Sequence, residues 1–185
     1  GGLFRIKHKK FFVLIDIDKP PQKKFSKSYQ SGPLSFEYFL DGIKIITNSG
    51  FGNNISKKAE LLSKHTACQS TLTINDTSIT KFESNIMINK VFGNSIKNSF
   101  KSFDFSTKNE NNLIGCSSSN NGYEKRFGCT HKREIYVDKI DGCLKGVDHI
   151  FKTKDGYPIR YAFRFHINPE LSVLKTMSGN SALIQ

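Results

Sequence analysis

Cationic side chains alternate with apolar residues in two strand-like stretches of the second half of the chain. These cations are Arg160, Arg164 and His166 in residues 159–167, and His131 and Arg133 in residues 130–137. Because successive side chains of a β-strand point to opposite faces, one face of each strand is expected to pack on a core and the other to offer its cations to solvent or to a ligand. The planar guanidinium group suits carboxylate or sulfate recognition, although arginine on an outer strand face is also ordinary.

No motif for nucleotide or hydrolase chemistry accompanies these cations. The sequence contains no Walker loop, no Rossmann fingerprint and no GxSxG elbow. The 5 histidines show neither HxH nor HExxH spacing, and the 4 cysteines form no Cys-x-x-Cys pair, which excludes zinc ribbons and thioredoxin-like redox motifs. The cysteines allow two disulfides or none, and their positions in or beside strand-like segments favour buried free thiols.

Strand and turn signals predict how these residues are positioned. Residues 11–17 are β-branched and aromatic, and Asp41-Gly42 stands between two strand-like runs in the pattern of a β-hairpin. Similar dipeptides flanked by strand-like runs are Asn121-Gly122, Asp141-Gly142 and Asp155-Gly156. The chain therefore reads as a meander of antiparallel strands.

Helical patterns are rare in the sequence. Only residues 56–64 are predicted to be helical, with Ser56 as the N-cap, and residues 82–112 are interpreted as strands joined by loops. We predict an all-β fold: a single antiparallel β-sandwich over residues 1–185, with a Phe-rich core and one short helix.

The net charge favours a polyanionic partner. The chain has 28 Lys and Arg against 16 Asp and Glu, a formal charge of +12. Such a surplus attracts nucleic acid, anionic lipid or acidic polysaccharide, unless the lysines only solvate loops and outer faces. No nucleic-acid-binding module is recognisable, and most phenylalanines alternate into the expected core, which disfavours nucleic acid. No stretch reaches the ~18 apolar residues of a membrane-spanning helix, and the missing initiator Met suggests a piece of a longer protein.

Five phrases in order resemble the C-terminal β-sandwich region of the heparinase II/III-like family of polysaccharide lyases. They are Ser31-Gly32-Pro33-Leu34-Ser35-Phe36-Glu37, Thr47-Asn48-Ser49-Gly50, Thr66-Ala67-Cys68-Gln69-Ser70-Thr71-Leu72, Asn121-Gly122-Tyr123 with Arg126-Phe127-Gly128 and His131-Lys132-Arg133, and Arg164-Phe165-His166. Each phrase is weak alone, but their order makes the match fairly specific. The resemblance extends over about residues 4–169.

The resemblance implies a parent protein with a preceding α-helical toroid domain, located in the periplasm or cell envelope. It also implies an acidic, uronate-containing polysaccharide substrate of the glycosaminoglycan type. In the family's β-elimination a base removes the proton next to the uronate carboxylate, cationic or amide groups offset the carboxylate charge, and an acid protonates the leaving oxygen. His and Tyr suit the base and acid because neighbours can tune their proton affinities. Much of this machinery lies on the toroid, and the sandwich adds a few groups.

This chain departs from the family pattern at three positions. Family members commonly have His where Gln30 and Gln69 stand, and some have an acidic residue in place of Asn48, as part of a metal site in the sandwich. Glutamine and asparagine are poor zinc ligands and cannot act as a general base near neutral pH. We therefore expect no bound zinc and no other cofactor, and we do not expect the sandwich to supply the base.

The positions that correspond to the family phrases give the candidate site residues. Tyr123 and His131 are the candidates for proton transfer. The candidates for substrate binding are Gln30, Glu37, Asn48, Gln69, Arg126, Arg133, Arg164 and His166. Structural alternatives remain: Glu37 as a carboxylate paired with a neighbouring cation, Tyr123 as a packed hairpin aromatic, and the histidines as hydrogen-bonded sheet residues.

Three functions follow from these observations. The first is the C-terminal domain of a polysaccharide lyase, inactive alone, which contributes a basic saccharide-binding face to a cleft completed by the N-terminal helical domain. The alternative is a non-catalytic carbohydrate-binding or interaction module, and the third is nucleic-acid binding.

Overall fold

Antiparallel strands make up most of the regular structure. The computed structural model describes residues 2–154 and 159–185. The strands in these residues are β1 (Leu3–His8), β2 (Phe11–Asp16), β3 (Phe36–Leu40), β4 (Ile43–Thr47), β5 (Leu72–Ile74), β6 (Ser102–Asn109), β7 (Leu113–Asn120), β8 (Cys129–Asp138), β9 (Cys143–Lys152), β10 (Tyr161–Phe163), β11 (His166–Ile167), β12 (Val173–Lys175) and β13 (Ala182–Ile184). The helices are α1 (Lys57–Ser63), α2 (Ile86–Phe92) and α3 (Glu124–Phe127). None of the helices described is long and apolar enough to cross a membrane.

Two antiparallel sheets form the sandwich. One has the strand order β1-β2-β3-β4-β11 and the other β6-β7-β8-β9, while β10-β5 and β12-β13 form separate pairs. Strand β2 contributes Val13 and Ile15 to the core, and β8 contributes Ile135 and Val137 from the opposite sheet. Buried side chains occupy every second position along both strands, so each sheet buries one face. The predicted all-β antiparallel sandwich is confirmed.

A second, smaller core lies beneath the connecting segments. Leu72, Ile74 and Ile79 pack there with Phe100 and Tyr123. All four cysteines are free thiols. Cys116 is buried in the first core and Cys129 in the second, whereas Cys68 and Cys143 are half-buried. The free-thiol interpretation agrees with this structure.

The helical content exceeds the prediction of one short helix. Helix α1 begins as predicted, because Ser56 Oγ accepts a hydrogen bond from Ala59 N at 3.0 Å. Helix α2 was not predicted, since its isoleucines and valine resemble a strand. Its local signal is Asn85, whose side chain caps the helix by accepting from Met87 N at 2.9 Å.

The single strand expected over residues 159–167 is divided in two. Strand β10 pairs with β5, whereas β11 pairs with β4 of the larger sheet. The expected apolar face is also wrong, because Tyr161, Phe163 and Phe165 are 38%, 38% and 50% exposed. Strand β10 pairs only with β5 among the described strands, outside both sheets of the sandwich.

The predicted turns differ in outcome. Asp41 and Gly42 both have positive φ, 50° and 82°, as a tight β3–β4 hairpin requires. Asp141-Gly142 joins β8 to β9, whereas Asn121-Gly122 leads into α3 instead of a direct hairpin. The Asp155-Gly156 turn lies outside the described residues.

Candidate functional site

Gln30, Asn48 and Gln69 converge from three separate segments, and we call these three residues the amide cluster. Gln30 Nε2 donates to the Gly50 carbonyl at 2.5 Å and to the Ser63 carbonyl at 3.3 Å. Gln69 Nε2 donates to the same Ser63 carbonyl at 3.0 Å. The two glutamines share an acceptor at the end of α1, so the cluster ties the segment before β3 to the segments on either side of this helix.

The amide cluster lacks the donor atoms that Zn²⁺ requires. The glutamine nitrogens carry hydrogen and donate it to carbonyls, and Asn48 Oδ1 accepts from Ser70 N at 2.8 Å. Protein zinc sites use imidazole nitrogen, thiolate sulfur or carboxylate oxygen. In the described part of the chain, a compact group of three such ligands occurs only at the β8–β9 hairpin, in Asp138, Asp141 and Cys143. The amide cluster therefore does not fit zinc.

Ser70 links the amide cluster to two other predicted site residues. Its backbone N–H donates to Asn48, and its hydroxyl accepts from His166 N at 2.9 Å. His166 Nε2 lies 3.0 Å from the Ala67 carbonyl. The Ser70 carbonyl accepts from Arg133 Nη1 at 2.8 Å. Residues from β8, β11 and the loop after β4 are thus held against one residue of the segment that enters β5.

His131 and Arg133 share a face of β8, as predicted, but this face is turned into the molecule. They are 3% and 1% exposed and bind the same carboxylate, Asp148 of β9. Arg133 Nε and His131 Nε2 each lie 2.7 Å from Asp148 Oδ1, and Arg133 Nη2 donates to Oδ2 at 3.0 Å. The guanidinium also lies over the rings of Phe36 and Phe165, at 5.4 and 5.8 Å from their centroids. The expectation that β8 presents these cations to solvent is wrong, because both side chains are buried and bonded to the partly buried carboxylate of Asp148.

The ionisation of this group follows from its surroundings. Burial lowers the pKa of His131, and the charge of Arg133 acts in the same direction, against the hydrogen bond to Asp148. Burial works to raise the pKa of Asp148, but the hydrogen bonds from His131 and Arg133 outweigh it and hold that pKa at about 2. Arg133 and Asp148 are therefore a charged pair, and His131 is a buried neutral imidazole that a substrate cannot reach in this conformation.

Tyr123 is a core residue. Its ring packs in the second core, it is 2% exposed, and its hydroxyl donates to the Thr77 carbonyl at 2.7 Å. Burial raises its pKa to about 12, although the nearby charges of Arg126 and Arg164 partly oppose this. The alternative of an exposed acid or sugar-stacking ring is wrong, because the ring fills the space beneath the connecting segments.

Arg126 and Arg164 lie on the same side of the molecule, near Tyr123. Arg126 Nη1 donates to the Ser78 carbonyl at 3.0 Å. Arg164 donates to Thr73 Oγ1 and, at 3.2 Å, to Asp76 Oδ1. The structure thus brings these two predicted arginines together, although they are 38 positions apart in the chain.

A cleft of about 660 Å³ opens beside these arginines. Its walls come from α1, the segment 76–84, residues 94 and 97, and α3. We call it the basic cleft, after its three permanent cations Lys81, Lys97 and Arg126. Only Arg126 was predicted, because residues 76–97 show no spacing that marks a site. The weak local signal is Lys81 among the four hydroxyl residues of residues 77–84.

Glu37 lies outside the basic cleft, in the wall of a smaller pocket that Asn48 also lines. Its carboxylate accepts from Lys44 Nζ at 2.8 Å on the outer face of the β3–β4 hairpin, and the pair is partly exposed. This is the structural alternative proposed from the sequence, a carboxylate paired with a neighbouring cation.

Comparison with known proteins places the chain in a family. A family model described as "Heparinase II/III-like, C-terminal" matches residues 1–185. The search of curated proteins gives no match. Among solved structures, the crystal structure of heparinase III is similar with a TM-score of 0.62 and 14% identity, over 97% of this chain and 25% of that chain. At this identity the likeness shows the fold alone, and the chain spans a quarter of the heparinase III chain. Because the family model matches throughout, the chain belongs to the heparinase II/III-like C-terminal family.

Proposed function

We propose that this chain is the saccharide-binding sandwich of a polysaccharide lyase that acts on acidic, uronate-containing polysaccharide. The observation that carries the proposal is the basic cleft, where Lys81, Lys97 and Arg126 line one concave surface. Cations in a cleft raise the local concentration of an anionic polymer, and arginine can hold a carboxylate through two parallel hydrogen bonds. Family membership supplies the class of substrate.

The sandwich contributes binding and leaves proton transfer to the rest of the parent protein. β-Elimination requires a base and an acid that reach the substrate, whereas Tyr123 and His131 are buried here and bonded within the fold. We propose that the N-terminal helical domain supplies both groups, and that the parent protein works in the periplasm or cell envelope.

The substitution of amides for metal ligands supports a second candidate, a non-catalytic carbohydrate-binding module. In the amide cluster, Gln30, Asn48 and Gln69 hold loops together and lack titratable groups. We propose that this position is free of zinc.

An assay of the parent protein separates the two candidates. A lyase converts uronate polysaccharides into products with an unsaturated sugar, which absorb in the ultraviolet. We expect product from the parent protein and none from the 185-residue chain alone. Parent protein that binds uronate polysaccharides but forms no product on any of them would identify the non-catalytic module. Stronger binding of single-stranded RNA than of a sulfated glycan of equal charge would contradict both.

A further inference from the structure

The basic cleft has the size and the chemical groups of a binding site for one or two sugar rings. We propose that it binds a saccharide unit bearing a carboxylate or sulfate, with Arg126, Lys81 and the Thr80 hydroxyl as its main polar contacts. Its volume of about 660 Å³ falls within the range of small-molecule sites in proteins. The inference takes its ligand class from the proposed function and adds the place where this ligand binds.

The acidic groups at the cleft are already compensated. Asp76 is paired with Arg160 and Arg164, both on the segment that contains β10. The buried carboxylate of Glu83 lies 3.1 Å from Lys97 Nζ. An anion that enters the cleft therefore meets little unpaired negative charge.

Two cations of the cleft keep their charge available. Arg126 and Lys81 form no ion pair with any residue that the structure describes. The bond from Arg126 Nη1 to the Ser78 carbonyl, 3.0 Å long, fixes the guanidinium and leaves its other N–H groups for a ligand. The backbone of Lys81 is held by Asn98 Oδ1 at 2.5 Å and by Lys97 N at 2.7 Å, while its side chain is exposed. Hydrogen bonds therefore hold the Arg126 guanidinium and the Lys81 backbone in place.

Thr80 gives an independent indication of a ligand. It is 1% exposed, it lines the cleft, and its hydroxyl has no hydrogen-bond partner among the described residues. Its backbone N–H is anchored to Ser31 Oγ at 3.2 Å, so the residue is well positioned. A buried hydroxyl without a partner lowers stability and is rare in native proteins. Because no hydrogen bond holds the hydroxyl, rotation of the Thr80 side chain can turn it into the cleft, where a carboxylate or hydroxyl oxygen of a bound sugar would satisfy it.

Phe82 supplies an apolar surface for the sugar ring. Lys64 Nζ lies 4.8 Å from its centroid, and the His65 ring meets it edge-on at 5.7 Å. Lys64 is itself buried and donates to the carbonyls of Lys27 and Asn94 at 2.6 and 2.5 Å. The aromatic ring is therefore held in place and can pack against the C–H groups of a sugar.

Binding of a galacturonate hexasaccharide to the 185-residue chain, measured by calorimetry at low salt, tests the proposal. Lys81→Ala removes a charge, and Arg126→Lys keeps the charge but loses the planar fork that holds a carboxylate through two hydrogen bonds. Each should weaken binding about three- to tenfold. Lys7→Ala is the matched control, because Lys7 is an exposed lysine on β1 outside the cleft, and it should change the affinity less than about twofold.

Thr80→Val is the most specific variant, because it removes only the hydroxyl. We expect it to weaken binding about two- to tenfold without lowering the thermal midpoint of the free protein, since the hydroxyl has no partner to lose. A hydroxyl with a structural role would instead lower that midpoint and leave the affinity unchanged, which would overturn the proposal.

Two further ligands separate this inference from the proposed function. A sulfated hexasaccharide of equal charge compares sulfate with carboxylate, and maltohexaose is the neutral reference. If the chain binds acidic oligosaccharide but all three cleft variants bind like the unmodified chain, the location is wrong and the proposed function stands. If the chain prefers the neutral sugar, both fail.

Discussion

The amide cluster places three neutral side chains at positions where the family resemblance implies metal ligands. The resemblance to the family implies histidine where Gln30 and Gln69 stand and, in some members, an acid in place of Asn48. Here all three residues form hydrogen bonds that need no metal. The loops around α1 are therefore held by neutral groups whose bonds do not depend on metal supply.

Replacing the three amides of the amide cluster by metal ligands should create a zinc site. The triple variant Gln30→His, Asn48→Asp, Gln69→His places two imidazoles and a carboxylate at one position, a set that suits zinc. We expect it to bind about one zinc per chain in a dye-competition titration. The unmodified chain and the triple alanine variant should bind none there, and tight binding by either would contradict the account.

The buried pair of Arg133 and Asp148 should be essential for folding. Asp148→Asn leaves the Arg133 guanidinium buried without its counter-charge, which should cost about 3–5 kcal/mol of unfolding free energy. Glu37→Gln is the control, because the Glu37–Lys44 pair is partly exposed and should cost less than about 1 kcal/mol. Urea denaturation measures the unfolding free energy of both variants. Equal losses of unfolding free energy would contradict the burial of the Arg133 guanidinium.

Asp16 should make stability depend on pH. Burial raises the pKa of this carboxyl from 3.8 to about 7, so between these values the folded state holds a proton that the unfolded state releases. Stability therefore falls as pH rises through this window. Asp16→Asn does not titrate, so its stability relative to the unmodified chain should grow from pH 4 to pH 7 and then level off. Urea titrations of both proteins across this pH range measure the difference, and a difference that does not change with pH would contradict the assignment.

Among the elements, the four-stranded sheet contains two glycines with opposite tolerance for a side chain. A Cβ on Gly115 of β7 would lie 2.1 Å from the Ile135 carbonyl oxygen and 2.5 Å from the Tyr136 ring, whereas on Gly146 of β9 the nearest atom would be 3.8 Å away. Gly115→Ala should destabilise the protein by about 1–3 kcal/mol. Gly146→Ala should be neutral or slightly stabilising. Thermal unfolding of the two variants provides the comparison, and similar midpoints would contradict the strand packing described.

The sequence predicted those elements whose formation depends on a few neighbouring residues. The Ser56 cap marked α1, and the Asp41-Gly42 dipeptide marked a hairpin, because each depends on neighbouring residues alone. Alternation put His131 and Arg133 on one face of β8 but could not show which face is buried. That depends on Asp148, which lies 15 residues beyond Arg133 and is brought opposite it by the β8–β9 pairing.

At the scale of the whole molecule, the sites are assembled by long-range contacts. Arg126 meets Ser78 across 48 positions of sequence, and Arg133 meets Leu34 across 99. The order of the family phrases predicted the residues of the amide cluster and Arg126 as site residues. A family resemblance can do this because it includes positions that only the fold brings together. The sequence analysis did not predict Lys81, Thr80 and Lys97 as site residues. They lie in loops, and a loop has no periodic pattern that predicts which side chains come together.

Two of the chain's many cations, Lys81 and Arg126, line the basic cleft. The formal charge of +12 would favour any polyanion. Among the described residues Lys81 and Arg126 have no acidic partner, and their place in a cleft with hydroxyl groups instead favours an acidic sugar. Contacts of this kind are screened by salt, so the affinity should fall as ionic strength rises.

The most direct test of the central claim is the affinity of the 185-residue chain for a galacturonate hexasaccharide and for maltohexaose, each measured over a series of salt concentrations. We expect the acidic sugar to bind more tightly at low salt, and its advantage to shrink steadily as salt is added. A chain that binds the neutral sugar more tightly at every ionic strength would contradict the assignment of this sandwich to acidic polysaccharide.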